Sequence, residues 1–109
     1  MLNKANRLNK HGSFSYVYRK GKRLSETDVV LIFTPARSVR VGFSVSNKVG
    51  KAVVRNKVKR RLRASVGDRL SSISGCQAIV VANPSAAGKP YDVLDGELVS
   101  LFTRAGLMK

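Results

Sequence analysis

The chain has 109 residues, of which 43% are hydrophobic, so it can bury one core but is too short for two independent domains. Its 21 lysines and arginines face only 6 acids, a formal net charge of +15, which predicts a polyanionic partner. No apolar run is long enough to cross a membrane, residues 1–10 lack the apolar segment of a secretory signal, and the single cysteine, Cys76, excludes an internal disulfide or a cysteine metal cluster, which together predict a cytoplasmic protein.

Turn residues and hydrophobic periodicity divide the chain into alternating predicted elements. Residues 1–10 are predicted to form a basic, flexible arm, and the first helix to begin with Ser13 as N-cap and to stop near Gly21. Strands are predicted at residues 23–26, 29–34, 39–46 and 77–82, and further helices at 52–66 and 91–107. The order helix, three strands, helix, strand, helix favours an α+β fold, a single-domain α/β sandwich with a mixed four-stranded sheet.

The third predicted strand has two different faces, because its side chains alternate. One face is apolar and carries Val39, Val41, Phe43 and Val45. The other face is small and polar with one cation, and carries Arg40, Gly42, Ser44 and Ser46. The apolar face predicts a side that packs on the core, and the polar face predicts a surface.

The second predicted helix and the loop before it carry the densest charge of the chain. Residues 1–63 hold seventeen basic side chains and two acids, whereas residues 64–109 hold four of each. Residues 48–63 contain no acid and eight cations, which are Lys48, Lys51, Arg55, Lys57, Lys59, Arg60, Arg61 and Arg63. An apolar stripe of Val54, Val58, Leu62 and Val66 predicts how the helix docks, with Asn56, Arg60 and Arg63 on the opposite side.

A dense cationic helix has two interpretations. Most charged helix faces are simply solvated. Here no glutamate supplies a partner at i,i+4, where like charges destabilise a helix. Arginine, whose planar fork matches phosphate, also outnumbers lysine between residues 55 and 63. These features favour nucleic acid, and an anionic membrane is the weaker candidate because no basic segment accompanies a large apolar face.

The same region resembles the signature of the bacterial ribonuclease P protein family. Residues 41–63 read VGFSVSNKVGKAVVRNKVKRRLR, centred on Arg55-Asn56 followed by Lys59, Arg60 and Arg63. Lys57 departs from the family's Arg-Asn-Arg type motif, since it keeps the charge without the fork of a bidentate phosphate contact. The N-terminal pattern is also similar to the family, with Arg7-Leu8, Phe14, Val17, Tyr18 and Gly21.

The resemblance implies a role and a partner. The chain would be the protein subunit of ribonuclease P, one per catalytic RNA, and would assist the endonucleolytic removal of the 5′ leader from precursor tRNA. The residues implied to bind the catalytic RNA are Arg55, Asn56, Lys57, Lys59, Arg60, Arg61, Arg63, Lys48 and Lys51. The resemblance also implies a left-handed crossover from the third strand through the basic helix to the fourth, where spacing alone favours the common right-handed one.

Phe14, Val17 and Tyr18 share one face of the first predicted helix, and an isolated stripe of this kind usually belongs to a core. Beside the small, polar strand face, an aromatic wall also suits an extended single strand, because bases stack on rings while hydroxyls and a cation meet the backbone. The family holds the leader in such a cleft. The resemblance therefore implies leader contacts from Phe14, Tyr18, Arg40, Ser44 and Ser46, and Val17 is assigned to the core.

The sequence contains no visible active site of its own, neither a phosphate loop, nor a zinc spacing, nor a nucleophile elbow. His11 is interpreted as a surface residue and Cys76 as a small buried hydrophobe. Helix N-terminal placement explains Asp92, Asp95 and Glu97, although a protein-only, two-metal nuclease remains an alternative, as does a basic ribosomal protein or RNA chaperone. The resemblance implies that the RNA subunit performs the hydrolysis with Mg²⁺, without a metal site on the protein.

Overall fold

The computed structural model of the protein describes residues 4–8 and 11–109, with only the backbone at Lys4 and His11. Its helices and strands follow the predicted order α-β-β-β-α-β-α. Their bounds are α1 His11–Lys20, β1 Lys22–Ser25, β2 Val29–Pro35, β3 Val39–Val45, α2 Ala52–Asp68, β4 Cys76–Ala82 and α3 Tyr91–Arg104. The predicted α+β class is confirmed.

The four strands form one mixed sheet in the order β1-β2-β4-β3. β2 is antiparallel to both of its neighbours, so that Leu31 lies opposite Leu24 of β1 and opposite Val80 of β4. β3 is parallel to β4, with Val41 opposite Ala78. Two parallel strands that follow each other in the chain need a crossover connection, and α2 provides it.

Different helices cover the two faces of this sheet. The larger core lies between one face and the helices α2 and α3, and its fully buried side chains include Leu31, Leu62 and Leu98. α1 covers the other face, where the fully buried Val17 packs in a second cluster with Ile79. The sheet is therefore the middle of three layers, and α2 and α1 lie on opposite sides of it.

The crossover from β3 through α2 to β4 is left-handed. The N–H of Asn83 donates to the carbonyl of Asp28 beside β2, so by alternation the N–H and C=O of Val80 point to the other neighbour, β3. The Val80 side chain lies in the core beneath α2. Consider β4 running away from the viewer with the Val80 side chain pointing up, toward α2. For an L-residue in this orientation, the N–H and C=O of the same residue point to the viewer's right. β3 thus lies to the right of β4 under α2, which is the hand opposite to the common one.

The first helix begins earlier than its sequence predicts. α1 starts at His11, so Ser13 lies inside the helix and its assignment as N-cap was wrong. The end was predicted correctly: the N–H of Gly21 donates to the carbonyl of Val17 at 2.8 Å. A Cβ at Gly21 would lie 2.9 Å from Cγ2 of Ile32, so glycine allows α1 to pass close to β2.

Part of the predicted arm is held against the sheet. The side-chain amide of Asn6 donates to the carbonyl of Val39 at 2.9 Å, and the N–H of Leu8 donates to the carbonyl of Val41 at 3.1 Å. Leu8 is buried. Asn6 and Leu8 of the predicted arm thus lie along β3, and residues 1–3, 9 and 10 of the arm lie outside the described residues.

The last helix ends three residues before its predicted end. Gly106 has a positive φ of 74°, its N–H donates to the carbonyl of Thr103, and the N–H of Leu107 donates to the carbonyl of Phe102. These two bonds are those of a Schellman motif, which closes a helix on a left-handed glycine. Leu107, predicted as the last helical residue, therefore folds back and is buried.

Candidate RNA interface

The cations of the chain divide into paired and unpaired groups. Within the described residues there are three ion pairs, and their cations are Arg69, Lys89 and Arg104. All three belong to residues 64–109, where acids and bases are equal in number. Between residues 11 and 63, no described cation has an acid within 4 Å. The positive charge of that region is therefore left for an external anion.

Packing of one apolar stripe sets the orientation of α2. Val58, Leu62 and Val66 are buried in the larger core, and Val54 packs at its edge, as predicted. The helix carries no acid in its first turn, so it gains no favourable charge there. Tertiary packing must therefore hold the helix against repulsion between its own cations.

A tight turn delivers the chain into this helix. Gly50 has φ 152°, and a Cβ there would lie 3.1 Å from Cβ of Val54, so glycine is needed. The Nε of Arg55 donates to the carbonyl of Gly50 at 3.1 Å and braces the turn. Lys48 and Lys51, both exposed, flank Gly50 and extend the basic surface of α2 into the loop.

Part of the predicted RNA-binding set surrounds one hollow on α2. This hollow of about 390 Å³ is lined by Asn56, Lys59, Arg60, Arg63 and Ala64. Asn56 and Arg60 are exposed, whereas Lys59 and Arg63 are half-buried. Three cations and an amide thus converge where α2 faces away from α3, an arrangement that suits phosphate oxygens.

Other members of that set point elsewhere. Arg61 lies on the side of α2 that faces α3, and its guanidinium donates to the carbonyl of Lys89 at 2.7 Å. Lys57 is exposed. Arg63 was predicted to point directly away from the apolar stripe, but it is half-buried with its guanidinium carbon 6.0 Å from the centre of the Phe43 ring. The prediction was wrong because α2 lies close above β3, so a residue on the flank of the stripe reaches the strand.

A second hollow lies at the edge formed by β3. It has a volume of about 310 Å³ and is lined by Arg7, Leu8, Phe14, Val41, Gly42, Phe43 and Arg63. The Phe14 ring lies directly on Gly42, where any Cβ would overlap it. Sequence reasoning placed Phe14 and Gly42 on neighbouring surfaces but missed this contact. It also missed Arg63 as a shared wall of both hollows.

Of the predicted leader residues, only Phe14 lines this second hollow. Gly42 faces α1, and by alternation Arg40, Ser44 and Ser46 share its side of β3. Phe14 is half-buried. Tyr18 is 48% exposed, so it is not a core residue. Val17, in contrast, is fully buried, as its assignment to the core predicted.

The sequence of the whole chain matches known proteins. Residues 2–106 match the family model described as Ribonuclease P. The ribonuclease P protein component of Clostridium acetobutylicum is 37% identical over 110 residues, which cover 96% of this chain and 92% of the relative. That of Clostridium botulinum is 38% identical, with 95% of this chain and 97% of the relative covered.

The chain belongs to the ribonuclease P protein family. The fold agrees: a mutant RNase P protein of Staphylococcus aureus with defective mRNA degradation activity superposes with a TM-score of 0.91 at 30% identity, covering 96% of this chain and 92% of the other. Family members are protein components of an endoribonuclease of tRNA processing, so an RNA partner in a ribonucleoprotein follows from membership.

Two of the three acids near the start of α3 are engaged in structural contacts. Asp95 accepts from the hydroxyl of Ser65 at 2.6 Å and from the guanidinium of Arg69 at 2.8 Å. Glu97 accepts from the N–H groups of Asp28 and Val29 at 2.8 and 3.1 Å. No group of three or more histidine, cysteine or acidic side chains among the described residues is arranged to hold a metal ion.

Two other observations bear on the remaining predictions. Cys76 is fully buried, and burial raises the pKa of its thiol to about 11, which confirms it as a small apolar residue. The side chain of His11 lies outside the described residues. Among the helices of the described part, none is long and apolar enough to cross a membrane.

Asp28 and Glu97 form a carboxyl pair that sequence reasoning missed, because the two residues are 69 positions apart. Asp28 is buried. A hydrogen bond from Glu97 lowers the pKa of Asp28, whereas burial, with the bond to Asp28, raises the pKa of Glu97. Glu97 is thus the carboxyl of the pair that binds a proton more readily. Lys89 lies 4.0 Å from the Asp28 carboxylate and stabilises its charge.

We expect Glu97 to make stability fall as the pH rises above its ordinary pKa. A raised pKa means that the Glu97 contribution is complete below its ordinary value of 4.5 and is lost as the pH rises through the raised value. Glu97→Gln retains an oxygen for the N–H groups of Asp28 and Val29 and supplies a permanent donor to the Asp28 carboxylate. Urea unfolding between about pH 4 and 8 should show a decline in wild type that is absent in the variant. Parallel profiles would contradict the raised pKa of Glu97.

Proposed function

We propose that this protein binds two RNAs at once: the basic surface of α2 docks on the catalytic RNA of ribonuclease P, and the hollow between α1 and β3 receives the 5′ leader of precursor tRNA. By holding both, the protein assists the removal of the leader that gives the mature 5′ end. The observation that carries this proposal is that the described cations between residues 11 and 63 lack acidic partners and concentrate on α2, directly beside an aromatic hollow.

Phosphate binding is the chemistry that α2 suits. Lys59, Arg60 and Arg63 converge on one hollow, and Lys48 and Lys51 continue the surface along the loop. Each phosphate that such a cation neutralises releases a counterion, so affinity should depend steeply on salt. Arg55 and Arg61 use part of their donors internally, and with Lys57 they form the flanks of this surface.

Base stacking is the chemistry that the other hollow suits. Phe14 lines it, and Tyr18 lies one turn further along the same face of α1, so a base can stack on either ring without a sequence preference. Arg40, Ser44 and Ser46 share the side of β3 that faces α1, where a sugar–phosphate backbone can pass over small or cationic groups. Such a surface would accept leaders of different sequence, as a subunit acting on many precursor tRNAs requires.

Arg63 is the residue through which the two surfaces meet. It lines both hollows and stands over Phe43. A phosphate held by its guanidinium would lie at the boundary between the catalytic RNA and the leader. Because Phe43 and the packing of α2 fix this arginine, it can set the leader in a constant position relative to the catalytic RNA.

The hydrolysis itself is assigned to the RNA subunit, which would use Mg²⁺ to activate water and to stabilise the leaving oxygen. The protein's share is binding: it would position the leader, neutralise phosphates of both RNAs and thereby raise substrate affinity. We assign one protein to each catalytic RNA, in the cytoplasm, where precursor tRNA is made.

Reconstitution tests this function. RNA-free protein should leave precursor tRNA intact, whereas addition of a bacterial ribonuclease P RNA and Mg²⁺ should give cleavage at the mature 5′ end, with tighter substrate binding than RNA alone. Because a similar structure is that of a mutant defective in mRNA degradation, the RNA-free control should also include an mRNA. Specific cleavage of precursor tRNA by scrupulously RNA-free protein would show that the protein itself is the nuclease.

Two adjacent arginines of α2 should behave differently. Arg60 is exposed and unpaired, so Arg60→Ala should weaken binding to the catalytic RNA and reduce the slope of log affinity against log salt by about one unit. Its unfolding free energy should change by less than about 0.5 kcal/mol. Arg61→Ala should instead cost about 1 kcal/mol of stability, because the carbonyl of Lys89 loses its donor.

Salt-dependent binding and urea unfolding of both variants provide the measurement. A lower stability for Arg60→Ala together with an unchanged salt slope would mean that Arg60 is a structural residue and that α2 does not dock on RNA through it.

Two tyrosines of α1 provide a matched pair for the cleft. Tyr18 and Tyr16 are 48% and 47% exposed, but only Tyr18 shares the face of Phe14. Tyr18→Leu should lower the affinity of the reconstituted complex for precursor tRNA by about 1–3 kcal/mol and leave mature tRNA unaffected, since it has no leader. Phe14→Leu should act in the same direction. Tyr16→Leu should change neither affinity.

The quantity to compare is the ratio of precursor to mature tRNA affinity in each variant. Assembly with the catalytic RNA should remain at the wild-type level, because α2 is unchanged. A ratio that stays constant in Phe14→Leu and Tyr18→Leu would remove these rings from the binding site.

A further inference from the structure

α1 crosses the sheet from one edge toward the other. At its start, the Phe14 ring lies on Gly42 of the edge strand β3; at its end, Gly21 lies against Ile32 of β2, and the chain enters the opposite edge strand β1 at Lys22. Ten residues of helix span about 15 Å, and three strand spacings span about 14 Å. α1 is therefore as long as the sheet is wide.

Two unpaired arginines stand at the far end of this helix. Arg19 follows Tyr18 on α1, and Arg23 lies opposite Ile32 in β1, so its side chain is on the face of the sheet that α1 covers. Both arginines are exposed. Glu26, the nearest acid along the chain, is engaged by Arg104 and by the Ser100 hydroxyl.

Two lysines at the same edge point to the other side. Lys22 lies opposite Phe33 of the larger core, and Lys20 is about 200° around the helix from Tyr18. Together these lysines line a separate hollow beside Phe33 and Leu107. Four cations in five positions are thus divided: Lys20 and Lys22 line that separate hollow, whereas Arg23 lies on the face of the sheet that α1 covers and Arg19 lies about 100° around the helix from Tyr18.

We propose that Arg19 and Arg23 extend the leader site: leader nucleotides beyond those that stack on Phe14 and Tyr18 follow α1 across the sheet and place phosphates at these two arginines. This inference rests on the proposed function, since it requires the leader to enter the hollow at β3. It makes substrate affinity depend on leader length.

The alternatives explain the charges only in part. A cation in the last turn of a helix is favourable, which accounts for Arg19 but not for Arg23 in a strand. Cations on an edge strand discourage pairing with another sheet, which accounts for Arg23 and Lys22 equally. A membrane would need apolar contacts, whereas the exposed large apolar side chains are distributed over three helices, at Tyr16, Tyr18, Val53 and Val93.

The test compares precursor tRNAs with leaders of about 4 and about 12 nucleotides, bound to the reconstituted complex at several salt concentrations. Arg19→Gln/Arg23→Gln should abolish the affinity gained from the longer leader and flatten its salt slope by about 1.4, two contacts at about 0.7 each for single strands. Binding of the short leader should stay at the wild-type level, which also shows that the variant is folded. Arg19→Lys/Arg23→Lys should retain most of the gain.

Lys20→Gln/Lys22→Gln is the matched control, because it removes the same charge from the same edge on the other side. It should leave the gain from leader length intact. Equal losses of affinity in both double variants, with short and long leaders alike, would show that only total charge matters and would overturn the proposal. Wild-type affinity and salt dependence in Arg19→Gln/Arg23→Gln would overturn it as well.

Two further results separate this inference from the function on which it rests. A loss of assembly with the catalytic RNA in Arg19→Gln/Arg23→Gln, in the absence of tRNA, would assign the arginines to that RNA and refute a leader extension. If Tyr18→Leu lowers the precursor to mature ratio while the arginine variant keeps its gain from length, the leader site stands and the extension falls.

Discussion

The docking of α2 on β3 and α3 is the contact on which the rest of the molecule depends. Val58, Leu62 and Val66 are buried against the sheet, and this stripe alone decides which cations face outward. The helix has no acid before Asp68, so neither its macrodipole nor side-chain pairs stabilise it in isolation. Its stability comes from the core. In this fold, core packing stabilises a helix whose like charges repel one another. Such an arrangement is expected only where an external anion binds the helix and offsets that repulsion.

The remainder of the chain is organised to keep that charge free. Asp95 accepts hydrogen bonds from Arg69 and Ser65, and Glu97 accepts them from backbone N–H groups at the start of β2. Glu26 is held by Arg104. These acids thus find partners within residues 64–109 or where that part meets β1 and β2, and not among the cations of residues 48–63. The net charge of the chain is therefore unevenly distributed. Residues 64–109 carry equal numbers of acids and bases, whereas residues 1–63 remain cationic.

Periodicity predicted the strands and α2 because each buries a stripe or face with the matching repeat, and the valines of β3 packed as their alternation required. It failed where the deciding contact lies far along the chain. Ser13 looked like an N-cap, but α1 starts earlier, next to a segment held by β3. Arg63 looked free, yet Phe43 lies beneath it. Glu97 looked like a helix-terminal charge, yet it meets Asp28, 69 positions away. The family resemblance supplied the hand of the crossover, which local spacing predicts wrongly.

The left-handed crossover determines which face of β3 stays open. With β3 at the edge and β4 beside it, a right-handed crossover would place α2 on the face that α1 covers. The connection would then lie over Gly42, Ser44 and Ser46 and fill the hollow beside Phe14. The left-handed path carries α2 to the other face, so the polar side of β3 stays open while Arg63 still reaches it around the strand edge. An edge strand with one face buried under a basic helix and the other face open is what allows the cationic surface of α2 and the aromatic hollow to meet at a single residue, Arg63.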